Sequence, residues 1–108
     1  MGVVKYSSSI IVSAAINDTF DEIQKLLKKL FYPIQYKNKE KGIIIARVEQ
    51  KWLAPAGELM VFDLKELATD NKVEVLIFSK DLLDSGVNFN RNVKNVNRLM
   101  KELKNTLS

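Results

Sequence analysis

The fold is encoded most clearly in residues 58–80, whose sequence is ELMVFDLKELATDNKVEVLIFSK. Residues 58–67 and 72–80 are both rich in apolar and β-branched side chains, which favour strands. Between them lies Ala68-Thr69-Asp70-Asn71, and Asp and Asn tolerate the left-handed backbone that tight turns need. The stretch therefore predicts an antiparallel β-hairpin.

The sequence upstream of this hairpin predicts three more strands. Residues 3–16 alternate apolar and polar side chains, residues 34–37 form a short strand, and residues 43–49 begin with three consecutive isoleucines. The polar turn between the last two ends at Gly42, which can adopt a positive φ angle. The run 43–49 is typical of a strand in the centre of a sheet.

Two amphipathic helices are predicted, one after the first strand and one at the C-terminus. Thr19-Phe20-Asp21-Glu22 matches a capping box, and Pro33 ends the first helix, which runs to about residue 31. From Asn88 onward, apolar residues recur at spacings of three and four, which predicts a second helix of about 17 residues. Its apolar stripe consists of Phe89, Val93, Val96, Met100, Leu103 and Leu107.

The predicted order is therefore β-α-β-β-β-β-α, in one domain that spans residues 1–108. Four consecutive antiparallel strands with two helices predict an α+β fold, in which both helices cover one face of an antiparallel sheet. The length of 108 residues is close to the commonest size of a single domain.

This order resembles the helix-grip fold of the START and birch-pollen-allergen superfamily. Residues 16–23, INDTFDEI, are similar to its junction between the first strand and the first helix, and residues 79–89 to its passage into the long final helix. The superfamily usually has six strands after its first helices, whereas four are predicted here. The shorter order resembles the TATA-binding-protein-like topology. The resemblance implies a fold and carries no catalytic or ligand-binding residue with it.

The composition excludes several kinds of chemistry. The chain has no cysteine and no histidine, so disulfides, thiolate nucleophiles, cysteine-ligated metals and histidine bases are absent. No cofactor motif is found, and we expect a protein that is not an enzyme and binds no cofactor or metal. No apolar run approaches the roughly 20 residues of a membrane span, and no secretory signal is recognised, so we expect a cytoplasmic protein.

The central strands are apolar on both faces, and two helices can cover only one. The other face would then expose an apolar patch unless a partner chain, a ligand or further packing covers it. The leading hypothesis is non-enzymatic binding of a partner protein, such as a second copy in a homodimer, or of a small apolar or amphipathic ligand. The residues predicted to line this site are Tyr6, Trp52, Met60, Phe62, Phe78 and Phe89.

The alternative hypothesis is a nucleic-acid-binding module. The net charge is +4, and the C-terminal helix carries a predicted stripe of cations that could contact phosphates, made of Arg91, Lys94, Arg98 and Lys101. A charged outer stripe is also what any amphipathic helix presents to water. The acid pairs Asp63–Glu66 and Asp81–Asp84 are interpreted as solvated strand-end and loop residues.

Overall fold

The computed structural model describes residues 5–48, 57–68, 71–81 and 91–107. It confirms the predicted order β-α-β-β-β-β-α and the α+β class. The elements are β1 Lys5–Val12, α1 Ile16–Lys29, β2 Ile34–Asn38, β3 Ile43–Val48, β4 Glu58–Glu66, β5 Val73–Asp81 and α2 Arg91–Leu107. None of the described helices is long and apolar enough to cross a membrane.

The five strands form one antiparallel sheet in the order β1-β5-β4-β3-β2. The consecutive strands β2 to β5 lie side by side, and β1 adds to the far side of β5. Among the described strands, the first two along the chain are therefore the two edges of the sheet. A register shift between Ile34 and Tyr36 marks a bulge in the edge strand β2.

The hairpin of β4 and β5 is confirmed, with continuous pairing from Glu58 opposite Asp81 to Glu66 opposite Val73. Asn71 has a φ of 48°, as the turn chemistry predicts. The backbone N–H of Leu67 donates to the carbonyl of Lys72 at 3.0 Å and closes the end of the ladder.

The turn before β3 depends on Gly42, which has a φ of 69°. Its carbonyl accepts a hydrogen bond from the N–H of Leu64 at 2.8 Å. A Cβ atom at this position would lie 2.7 Å from the Leu64 carbonyl oxygen. Both the backbone conformation and the close approach to β4 therefore require glycine.

Helix α1 begins one turn earlier than the capping box predicts. Ala15 is the N-cap and makes no side-chain capping bond, whereas Thr19 is buried and its hydroxyl donates to the Ala15 carbonyl at 2.9 Å. The earlier start brings Ile16 into contact with the hydrophobic core. Burial of this side chain provides a stabilisation that the local capping motif does not.

Both helices pack against the same face of the sheet, and the hydrophobic core lies between them. The strands contribute alternate residues to it, with the side chains of Ile44, Met60, Phe62, Val75 and Ile77 fully buried. The helices contribute residues at helical spacing, which are Phe20, Ile23 and Leu27 from α1 and Val96, Leu99 and Leu103 from α2.

Candidate functional site

The predicted apolar site residues lie on two different faces of the sheet. Met60 and Phe62 are fully buried in the core, and Tyr6 packs against that core from the edge strand β1. Phe78 points the other way, because it alternates with the buried Ile77 and Ser79. Trp52 and Phe89 lie outside the described residues.

The face opposite the helices carries a continuous apolar row. Tyr36, Ile45, Val61 and Phe78 are successive cross-strand partners on β2, β3, β4 and β5. Partners in antiparallel strands point to the same side, so these four side chains are neighbours. Other apolar residues share this side, and the set is called the outer face; it consists of Ile11, Tyr36, Ile43, Ile45, Leu59, Val61, Leu76 and Phe78.

The outer face is partly open to solvent. Ile11 is 57% exposed, Tyr36 46% and Leu76 41%, while Val61 and Phe78 are half-buried. At one end the outer face is bounded by a charged row in which Leu59 pairs with Arg47 on β3 and Lys80 on β5. An apolar centre with a charged border is typical of a surface that binds another molecule.

Two of the predicted site residues meet at the edge of the sheet. Tyr6 and Phe78 line a hollow of about 400 Å³ together with Lys5 and Ser7. The hollow wraps around β1, because Tyr6 pairs with Ser79 on the helix side and Ser7 pairs with Phe78 on the outer face. This is where the structure brings part of the sequence-predicted set together.

A buried cluster of polar side chains connects the end of the hairpin to the start of α2. Glu58 and Ser79 are fully buried beneath Asn92 and Asn95 of α2. Asn95 donates to the carboxylate of Glu58 at 3.0 Å, and the hydroxyl of Ser79 donates to Asn92 Oδ1 at 2.6 Å. Among the described residues, the set called the polar cluster is Glu58, Ser79, Asp81, Arg91, Asn92 and Asn95.

Within the polar cluster, Glu58 is paired with a cation and Asp81 accepts a hydrogen bond from a neutral amide. Arg91 Nε lies 3.1 Å from Glu58 Oε2, with the arginine side chain 17% exposed and the glutamate side chain 0%. Asn92 Nδ2 donates to Asp81 Oδ1 at 2.8 Å. Because Glu58 and Asp81 are direct cross-strand partners, the two carboxylates lie side by side on the helix-facing side of the sheet.

Sequence reasoning missed the polar cluster. Arg91 is predicted in an outward-facing cationic stripe and Asp81 in a solvated acid pair, and the buried positions of Asn92 and Asn95 are not predicted. One signal was present: Asn92, Asn95 and Leu99 recur at spacings of three and four and share the buried side of α2.

The predicted cationic stripe on α2 is shorter than expected. Lys94, Arg98 and Lys101 are exposed, whereas Arg91 turns inward to Glu58. These three exposed cations, Lys94, Arg98 and Lys101, are called the basic stripe. In the described part of the chain, no group of three acidic side chains is placed to hold a metal ion.

Comparison with known proteins identifies relatives in fold. No protein-family model and no curated protein matches this sequence. Solved structures do match. An uncharacterised protein from Bacillus thuringiensis has a TM-score of 0.64 at 9% identity, over 94% of this chain and 97% of that chain. The protein XoxI from Bacillus cereus has a TM-score of 0.68 at 8% identity, over 97% and 96%.

A third similar structure is a protein from Thermobifida fusca solved by solution NMR, with a TM-score of 0.58 at 5% identity, over 94% of this chain and 85% of that chain. The TM-scores show that these chains share a fold. At identities this low, the likeness says nothing about activity. The function of the present chain has to be argued from its own surfaces.

Proposed function

We propose that this protein is a non-enzymatic binding module whose outer face holds a partner protein, in the first place a second copy of the same chain. The observation that carries the proposal is the apolar row Tyr36–Ile45–Val61–Phe78 across four neighbouring strands. With strands about 4.8 Å apart, this row extends for roughly 14 Å. A row on an open sheet face is more suited to a protein surface than to a small molecule, which binds in a concave site.

The other side of the sheet supports the choice of the outer face. Met60, Phe62 and Ile77 are fully buried there, and both helices pack over them. A ligand between sheet and helices would have to displace these side chains, and each displacement would cost about as much as creating a cavity in the core. A small amphipathic ligand is therefore the second choice after a partner protein. It would bind in the edge hollow lined by Tyr6 and Phe78.

The proposal of a non-enzymatic, cytoplasmic role rests on the composition and on the polar cluster. The chain has no histidine or cysteine, and the fully buried carboxylate of Glu58 already accepts hydrogen bonds from Arg91 and Asn95. A carboxylate held in this way is suited to fixing α2 on the sheet. It is poorly suited to taking a proton from a substrate.

The substitution Phe78→Asp is expected to dissociate the dimer while the chain stays folded. In a two-fold symmetric interface, Phe78 is buried twice, and two carboxylates would have to be desolvated in its place. We expect the dimer dissociation constant to rise by at least about 100-fold. Native mass spectrometry and light scattering over a concentration series measure this change, and circular dichroism confirms the fold.

Asn105→Asp is the matched control, because it adds one negative charge at an exposed position of α2. It should leave the dimer unchanged. A wild-type chain that is monomeric and carries no bound mass would refute the proposal, as would a folded Phe78→Asp variant that dimerises like the wild type. A monomer with a non-covalent added mass that disappears on denaturation would mean that the protein binds a small ligand and not a partner protein.

The second candidate function is nucleic-acid binding through the basic stripe. The observation that favours it is that Lys94, Arg98 and Lys101 are all exposed at spacings of four and three, so they form one line on α2. Such a line can follow a phosphate backbone. The inward position of Arg91 removes one of the four cations that the sequence offers.

Binding through the basic stripe should depend steeply on salt. Three phosphate contacts give a slope of about −2.7 in log K against log salt, which is roughly a 40-fold loss of affinity between 50 and 200 mM salt. Fluorescence anisotropy with a labelled DNA duplex measures it. Arg98→Glu should weaken binding and flatten the slope, whereas Lys72→Glu at the exposed end of the hairpin should change little. An affinity that Arg98→Glu leaves unchanged would exclude this candidate.

A further inference from the structure

A second surface lies at the C-terminal end of α1, on the helix side of the sheet. A groove of about 370 Å³ runs between α1 and the edge strand β2. Its lining is mainly apolar and consists of Gln24, Lys25, Lys28, Tyr32, Pro33 and Ile34. An adjoining hollow of about 390 Å³ shares Lys28, Tyr32 and Pro33 and adds Phe31.

Phe31 is unusual both in its backbone and in its exposure. It follows the C-cap Leu30 with a φ of 60°, and the N–H of Tyr32 donates to the Leu27 carbonyl at 2.9 Å. The N–H of Phe31 donates to the Lys28 carbonyl at 3.2 Å, which completes a Schellman motif. This left-handed position favours glycine, and another residue costs about 1–2 kcal/mol there.

The phenyl ring of Phe31 gains little from folding to offset that cost, because the residue is 88% exposed. Neither the backbone nor the core therefore explains a phenylalanine at this position. A large aromatic side chain exposed beside an apolar groove is what a binding surface presents to its partner.

The charges around the groove are predominantly positive. Lys25 and Lys28 line it. Lys25 forms a loose contact with Glu22 at 3.9 Å and keeps 77% of its side chain exposed. Lys37 of β2 donates to Gln24 of α1 at 2.8 Å and thereby joins the two walls of the groove. The surface is complementary to a ligand with both apolar and acidic groups.

The position of the groove indicates the shape of that ligand. Within the described residues, β2 pairs on one side only, with β3, and is an edge of the sheet. An extended peptide can add to such an edge through main-chain hydrogen bonds and place alternate side chains in a groove beside it. Ile34 points to the helix side of β2, since it pairs with the buried Ala46, and forms the part of the groove wall that such a side chain would meet.

We infer that this groove binds an extended acidic peptide segment, which adds to β2 as a further strand, places an apolar side chain between α1 and β2, and packs against the exposed ring of Phe31. A membrane surface would also attract lysines and an aromatic ring. The concave groove and the adjacent strand edge favour the peptide, because a lipid surface uses neither.

The test uses a fluorescent peptide in which isoleucine alternates with glutamate, and a counterpart with lysine in place of glutamate. We expect the acidic peptide to bind and the basic one to bind at least tenfold more weakly. Phe31→Gly and Lys28→Glu should each weaken binding of the acidic peptide by about tenfold, and Lys72→Glu should not. Phe31→Gly should keep or raise the thermal unfolding midpoint, so that its loss of binding is not a loss of fold.

Amide NMR shifts on adding the acidic peptide should concentrate in residues 31–38. Equal binding of the two peptides, no binding of either, or unchanged affinity in Phe31→Gly would overturn the inference. So would binding to phosphatidylserine vesicles without binding to the peptide. The monomeric Phe78→Asp variant should still bind the peptide, so the two surfaces can fail independently.

Discussion

Replacing Phe62 by alanine is expected to lower the free energy of unfolding by about 3–5 kcal/mol, the usual cost of deleting a fully buried phenylalanine ring. The ring is completely buried in the layer between the sheet and the helices. Urea denaturation followed by circular dichroism measures the change. The matched variant is Phe78→Ala on the same hairpin, whose side chain is half-buried on the outer face and should cost about 1 kcal/mol in the monomer.

The comparison of Phe62 with Phe78 determines which face of the sheet is the core. Equal losses in the two variants would mean that the outer face is packed as tightly as the helix-covered one, and the proposed interface would then lack an exposed surface. A larger loss for Phe62 is the result that the structure requires. The Phe78→Ala measurement should be made at low protein concentration, because dimerisation adds to apparent stability.

The sequence predicts the order of elements well because the decisive signals are local. The apolar runs on either side of Asp70 and Asn71 specify the hairpin, Gly42 provides the positive φ before β3, and Pro33 follows the end of α1. Each depends on the backbone preference of one or two residues. The predicted start of α1 is wrong, because the local capping pattern competes with a distant contact, the packing of Ile16 on the core.

The faces of the central strands are harder to predict. Met60 and Val61, or Ile77 and Phe78, are similar in hydrophobicity, so period-two alternation does not show which side the helices cover. The predicted site therefore combined Phe62 from the core with Phe78 from the outer face. The strand register assigns each residue to a face, since it places Phe78 opposite Val61 and Phe62 opposite Ile77.

The polar cluster is a long-range feature that a one-dimensional pattern hides. Glu58 and Asn95 are 37 residues apart and meet only when α2 packs on the hairpin. Glu58 reads in the sequence as an ordinary strand-end acid, and Arg91 as one more cation on an amphipathic helix. Their burial follows from the position of α2 over the end of β4 and β5, which no local propensity fixes.

Replacing Glu58 by alanine is expected to destabilise the protein by about 3–5 kcal/mol, because it removes one partner of a buried ion pair. Arg91 would lose the carboxylate that lies 3.1 Å from its Nε, and Asn95 would lose the acceptor at 3.0 Å. Removing both charges is a different change. The double substitution Glu58→Met with Arg91→Met fills the space with apolar groups and still takes the Glu58 acceptor from Asn95, so it should cost about 1–3 kcal/mol, less than Glu58→Ala alone.

A double-mutant cycle on Glu58 and Arg91, measured by urea denaturation, gives the coupling between them. A loss below about 1 kcal/mol for Glu58→Ala would contradict the buried pairing described above. If the double methionine variant is as stable as the wild type, the ion pair is not needed for stability, and its role is to fix where α2 docks. That role can be measured separately. Without the ion pair, α2 would dock in more than one position, and the NMR signals of Leu99 and Leu103 would broaden while the free energy of unfolding stays unchanged.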